Sequence, residues 1–229
     1  MKRIGLIGGM SWQSTAIYYR LINQAVQARL GGHASADLVL RSLDFGPIEE
    51  LQRGGDWTGL DAMMAQAAQD AEAAGAELLL LCTNTMHRCA DAIEAAIAIP
   101  FLHIADPLEE TLAEMEIETV GLLGTRYTME QSFYRARLEA AGIEVMIPEE
   151  ADRAEVHRII YEELVAGRIE DKSRETYKAI MEQLAGDGAD AIVLACTEIG
   201  LLVRPEDALV PVLDTTVLHA LAAVDMALD

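Results

Sequence analysis

Short runs of Ile, Val and Leu alternate along this chain with longer amphipathic stretches rich in Ala. Brief apolar runs bounded by Gly or Pro read as buried strands, and apolar residues recurring every three to four positions between them read as helices. Arg3 to Ile7 is such a strand, turned by Gly8 and Gly9; Ser11 or Ser14 then caps a helix that runs towards Leu30 and stops at Gly31 and Gly32. A second strand, Asp37 to Ser42, leads to a polar loop from Asp44 to Trp57 and an Ala- and Met-rich helix ending near Gly75. The buried strand Glu77 to Leu81 opens onto Cys82-Thr83-Asn84-Thr85-Met86-His87, a helix to about Ala98, Pro100 and a brief strand, Phe101 to Ile104. Asp106-Pro107 starts another helix, with Asp106 as cap and Glu109 at the capping-box position.

The pattern then restarts. Val120-Gly121-Leu122-Leu123-Gly124 reads like Ile4-Gly5-Leu6-Ile7-Gly8, and a helix from Thr128 to Ala141 follows, with Gly142 as its stop. A strand, Ile143 to Ile147, precedes Pro148 and two helices parted near Gly167 across Asp152 to Ala185. Gly188 to Thr197 then matches Gly75 to Asn84 at a constant offset of 113, which pairs Thr83 with Cys196 and Cys82 with Ala195. Strand and helix patterns in alternation predict an α/β protein with parallel sheets, and the repeat predicts two pseudo-symmetric α/β domains. Open α/β sheets place ligands at their strand C-termini, so the expected active site is the cleft between the two domains. Equivalent strand ends would then bring Thr83 and Cys196 to a ligand from opposite sides.

The charge narrows the partners. With 38 acidic residues against 17 basic ones the formal charge is −21, a field that repels phosphate backbones and anionic membranes, so neither nucleic acid nor a membrane surface is expected as a partner. An anionic ligand would need local help from Arg, helix N-termini or backbone N–H groups. No apolar stretch reaches the length of a membrane span, and Met1 to Met10 lacks the apolar run of a signal peptide. Cys82, Cys89 and Cys196 have neither metal-ligand nor disulfide-framework spacing, which points to a reducing cytoplasm and to no metal.

Inverting a carbon centre that bears hydrogen requires a proton to leave one face and another to arrive at the opposite face, which is what an opposed Thr83 and Cys196 could supply. Backbone N–H groups, Asn84, Thr85 and Thr197 stand where they could hold the substrate carboxylate and stabilise the carbanion without a cofactor. A thiol at a strand-to-helix turn is expected to ionise more easily than free cysteine, with Glu198 opposing this unless it faces a substrate ammonium or an Arg. Gly5 to Gly9 is not a dinucleotide fingerprint, and no lysine motif for a pyridoxal cofactor is present.

Gly8-Gly9-Met10-Ser11-Trp12, Thr83-Asn84-Thr85-Met86-His87 and Cys196-Thr197-Glu198-Ile199 resemble signature segments of the aspartate/glutamate racemase family, in order and spacing, across essentially the whole chain. The resemblance implies cofactor-independent racemisation of amino acids, a pseudo-symmetric two-domain fold and a homodimer. It also implies a first domain of residues 1–100 completed by 212–229, a second of 101–211, and Met10 and Gln52 as substrate-lining residues beside Asn84, Thr85, Thr197 and Glu198. The first motif departs from the typical aspartate-racemase pattern, which has cysteine where Thr83 stands. That arrangement is similar to the broad-specificity amino-acid racemase branch, in which threonine faces cysteine. Cys82, one residue earlier, should point away from Thr83 and pack behind the turn. Arg41, Arg53, Arg126 and Arg168 are candidates for a distal substrate carboxylate, each more readily read as an ordinary surface ion pair, and His87 could orient the motif or be a structural helix residue. Competing readings are a hydantoin racemase, a maleate isomerase or a malonate decarboxylase of the same superfamily, or a non-catalytic amino-acid-binding protein.

Overall fold

The computed structural model describes residues 1–229, which divide into two compact units: Met1–Ile104 with His219–Asp229, and Ala105–Leu218. The first contains β1 (Ile4–Gly8), α1 (Trp12–Leu30), β2 (Leu38–Ser42), α2 (Phe45–Gly54), α3 (Trp57–Ala73), β3 (Leu78–Leu81), a 3-10 turn (Thr85–Cys89), α4 (Ala90–Ala96) and β4 (Phe101–Leu102). Its four strands are all parallel in the order β2-β1-β3-β4. The chain winds outward from β1 to β2 and then crosses back to β3, so β1 and β3 flank the switch point where open sheets of this kind leave room for ligands.

Alternation along the strands sorts the first core into two layers. Ile4, Leu6, Leu78, Leu80 and Cys82 face Tyr18, Ile22 and Val26 of α1 together with Ala220, Ala223 and Val224. Ile7, Leu79 and Leu81 face the other way, onto Ile48, Leu60, Met64 and Ile93. Cys82, just past the end of β3, is fully buried in the first of these layers.

The second unit repeats this plan with α5 (Asp106–Glu114), β5 (Thr119–Gly124), α6 (Arg126–Glu130), α7 (Ser132–Ala140), β6 (Glu144–Met146), α8 (Glu150–Ile159), a π-helical turn (Ile160–Leu164), α9 (Asp171–Gly186), β7 (Ala191–Ala195), α10 (Ile199–Leu202) and β8 (Val212–Asp214). The order is again parallel, β6-β5-β7-β8. Replacing each first-unit strand by its counterpart four numbers higher gives the second sheet. The glycines that open the repeat, Gly75 and Gly188, both have left-handed φ, at 92° and 116°, a conformation that favours glycine.

Several elements differ from the sequence expectation. The stretch expected as a polar loop folds as α2, because Asp44 accepts from the Gly46 N–H at 3.0 Å at its start and Gly55, left-handed at φ 72°, closes its end. Asp106 is not a cap: Ala105 holds that position without a side-chain bond, and Asp106 and Glu109 instead meet Arg137. The helix expected from Thr128 to Ala141 is two, broken at Gln131, whose ψ of 152° is extended. The division between units falls at 104/105 and 218/219, later than at 100 and 211, since β8 pairs with β7 and only the later turns of α11 (Thr215–Leu228) join the first core.

Candidate functional site

Each unit gathers its candidate residues at the C-terminal ends of its central strand pair. In the first, Gly9 is left-handed (φ 94°), and a Cβ there would stand 2.1 Å from the Leu43 carbonyl oxygen, so only glycine allows this turn. The Gly9 N–H donates to Thr15 Oγ1 at 2.8 Å, and Ser11 caps α1 by accepting from the Ser14 N–H at 3.3 Å. Beside this turn β3 ends at Leu81. The Thr83 N–H folds back to the Leu81 carbonyl at 2.9 Å, and His87 Nδ1 donates to the Thr83 carbonyl at 2.7 Å. Both main-chain groups of Thr83 are therefore tied, while its hydroxyl makes no hydrogen bond. Thr83, Asn84 and Thr85 are all buried.

Gln52 reaches this motif from α2, its Nε2 donating to Met86 Sδ at 3.0 Å. Met10 packs in the same layer as Met86, Leu81 and Ile48. Met10, Gln52 and the Thr83–His87 segment thus form one buried neighbourhood.

His87 has a fixed tautomer. A carbonyl only accepts, so Nδ1 carries the proton, and Nε2 accepts from the Ile104 N–H at 3.1 Å. Two more buried imidazoles stand close, with ring centroids at 4.5 Å for His103 and 5.8 Å for His219. His219 accepts from the Tyr18 hydroxyl at Nδ1 (2.8 Å) and donates from Nε2 to the Leu102 carbonyl (2.9 Å). Burial lowers its pKa to about 4.

In the second unit the corresponding strand end is chemically different. Cys196 Sγ donates to Glu198 Oε2 at 3.2 Å, and Thr197 Oγ1 donates to the same oxygen at 2.8 Å. All three residues are buried, with Glu198 only 4% exposed. Burial pushes the Cys196 thiol well above its ordinary pKa and the charge of Glu198 pushes it further, although the Glu198 backbone N–H works in the opposite direction. The helix that follows, α10, is a single turn, so the expected easing of thiol ionisation by a helix terminus gives way to burial and the neighbouring carboxylate. The resting group is a thiol already hydrogen-bonded to a proton acceptor.

Sequence reasoning missed three residues here. β5 lies beside β7 with Gly124 opposite Ala195, which puts Thr125 level with Cys196. Thr125 caps α6 by accepting from the Thr128 N–H at 3.3 Å, with the two hydroxyls 3.2 Å apart; Ser11 and Ser14 in the first unit show the same two distances. The findable signal was a hydroxyl residue followed three positions later by another, at a strand-to-helix turn. Asp214, at the end of β8, is the third. Burial raises its pKa, its Oδ1 accepts from the Thr216 N–H at 2.8 Å, and a Cβ on Gly200 would stand 2.4 Å from its Oδ2.

Of the arginines considered, Arg41 pairs with Asp70 at 2.9 Å, Arg53 with Glu49 at 3.7 Å, and Arg168 donates to the Glu162 carbonyl. Arg126 opens α6 and lies 5.7 Å from the Tyr127 ring centroid. No group of three or more His, Cys, Asp or Glu is placed to hold a metal ion, the three cysteines are free, and no helix is long and apolar enough to cross a membrane.

Comparison with known proteins gives one consistent result. The family model described as Asp/Glu/Hydantoin racemase matches residues 7–223. The broad specificity amino-acid racemase RacX of Bacillus subtilis (strain 168) is 23% identical over 219 residues, covering 93% of this chain and 92% of that protein. A crystal structure from Yersinia pestis, of a candidate Asp/Glu racemase, is 53% identical with a TM-score of 0.93, both chains being covered completely. An aspartate racemase homologue from Pyrococcus horikoshii OT3 is 31% identical with a TM-score of 0.86, again over the whole of both chains.

Proposed function

Because the chain belongs to the Asp/Glu/Hydantoin racemase family, we propose that it is a cofactor-independent amino-acid racemase in which Cys196 and Thr83 act on opposite faces of the substrate α-carbon. The observation that carries this reading is the Cys196 S–H bonded at 3.2 Å to a buried carboxylate. When Cys196 acts as base, its proton passes to Glu198 and the thiolate takes the α-hydrogen; the C–H electron pair moves into the substrate carboxylate and returns to carbon as the Thr83 hydroxyl delivers a proton to the other face, Thr83 takes a proton from water, and Glu198 gives its proton to the hydroxide so formed, which restores the resting site. In the reverse direction the Thr83 hydroxyl relays the α-hydrogen to water, the thiol donates its proton to the opposite face, and Glu198 passes the proton from water back to sulfur.

Asn84, Thr85 and Thr197 are the polar groups assigned to the substrate carboxylate, with Met10 and Gln52 lining the first-unit side. Glu198 changes role from the sequence expectation: its bonds to Cys196 and Thr197 support a proton relay rather than a partner for the substrate ammonium. The working form is taken as a cytoplasmic homodimer, as the family resemblance implies, and light scattering of the purified protein tests the dimer.

The decisive experiment is proton NMR of α-hydrogen loss in deuterium oxide across L- and D-amino acids, with hydantoins included because the family model spans them, followed by chiral analysis. Exchange with inversion that vanishes in Cys196→Ala supports the reading. Binding without exchange across the panel would leave a non-catalytic amino-acid-binding protein.

A further inference from the structure

The first unit holds its Thr83 turn by a device that the second unit lacks. At the repeat offset of 113 the counterpart of His87 is Gly200, so no imidazole grips the Cys196 turn from the equivalent position. His87 is 2% exposed, and its two nitrogens have distinct tasks: Nδ1–H holds the Thr83 carbonyl at 2.7 Å, and Nε2 receives the Ile104 N–H at 3.1 Å. The ring stacks on Phe101, with centroids 5.6 Å apart and planes 28° from parallel, and His103 meets it edge-on. The segment that leads from β4 to Ile104 is anchored next door, where His219 donates to Leu102 and receives Tyr18. A continuous set of bonds thus runs from α1 through α11 and the β4 segment to the main chain of Thr83, whose own hydroxyl makes no hydrogen bond.

The geometry points to His87 as a positioning residue for the Thr83 half of the reaction: by fixing the Thr83 carbonyl through Nδ1–H, it aims the free hydroxyl at the substrate carbon and so controls inversion rather than proton exchange at the Cys196 face. This rests on the racemase reading and deepens it. A hydroxyl without its own base transfers protons efficiently only if its direction is preset, because proton transfer depends steeply on donor–acceptor geometry. Cys196 has Glu198 to hold and serve it and does not need such a clamp.

Two isosteric substitutions separate the tasks of the ring. His87→Asn places an amide N–H about where Nδ1–H stands, keeping the donor to Thr83. His87→Gln places its amide about where Nε2 stands, keeping an acceptor for Ile104 but losing the Thr83 bond. In deuterium oxide, with both enantiomers as substrate, the expected result for His87→Gln is about a tenfold fall in inversion, the loss of roughly one hydrogen bond. Exchange with retention at the Cys196 face and KM should both stay within about twofold. His87→Asn should restore most of the inversion. Nitrogen-15 shifts of His87 should report the Nδ1–H tautomer in the unsubstituted protein, a readout independent of turnover. Equal loss of exchange and inversion in the Gln variant, or losses in both variants that follow their melting temperatures, would overturn the assignment, as would an Nε2–H tautomer. No exchange with any substrate, while the tautomer signature is intact, would refute the racemase reading and remove the function of the clamp with it.

Discussion

Two strand ends built on one backbone plan carry opposite chemistry. At the end of β7 the proposed reactive group, Cys196, is bonded to a buried carboxylate and has a second acid, Asp214, nearby. At the end of β3 the equivalent residue, Thr83, has an unbonded hydroxyl, and its carbonyl is held by His87, one of three buried imidazoles that stand together. The repeat therefore preserves placement while leaving proton chemistry free to diverge. In the proposed reaction one side would hold and pass a proton, and the other would fix a direction.

The strongest way to break this comparison is Cys196→Ala. We expect both exchange and inversion to fall by about three orders of magnitude, the middle of the range for removing a general acid–base group, as read by NMR in deuterium oxide. A smaller loss than that of Thr83→Ala would reverse the assignment of the equipped side. Next is Glu198→Gln, which removes the proton acceptor and its charge. Turnover should drop about a hundredfold with little change in KM, and because the Glu198 charge raises the Cys196 thiol, the pH profile of thiol alkylation should move to lower pH in the variant. Thr83→Ala should cost about tenfold in inversion while exchange at the Cys196 face persists, and Thr83→Ser should be milder; parallel loss of both activities would show that the two faces are not separable.

The smallest effect concerns stability. His219 has a folded pKa of about 4 against an ordinary 6.5, so as pH falls the unfolded chain takes up the proton first. Its contribution is intact above about 6.5 and is lost progressively down to about 4, with the acid limb of stability steeper by up to roughly one proton over that window. Thermal melts of His219→Gln should show a shallower decline across it, and an unchanged slope would remove His219 from the account.

Much of this architecture is legible in the chain. The strands Ile4–Gly8, Leu78–Leu81 and Ala191–Ala195 are apolar runs closed by glycine or polar residues, and an internal repeat aligns their ends before any coordinate is known. α2 was not legible, because its pattern of Gly, Pro, Glu and Arg looks like a loop until Asp44 and Gly55 are seen to cap it. The carboxylate partner of Cys196 was two residues away in sequence, yet its direction depends on how the turn after Ala195 buries Glu198. Asp214 was invisible for another reason: it reaches the Cys196 neighbourhood through the pairing of β8 with β7, and no local spacing reports that. The imidazole cluster likewise joins His87, His103 and His219 only when the last turns of α11 return to the first sheet.

That return has a consequence for how the protein is made. Synthesis from the N-terminus delivers the strands of the first sheet early, but Ala220, Ala223 and Val224, which close one of its two layers, emerge only after the whole of Ala105–Leu218. The second unit is contiguous in the chain, whereas the first must wait with one side of β1 and β3 covered by α1 alone. The first unit therefore closes its core after the second has been made, and the buried imidazoles behind Thr83 come together only once α11 has been added.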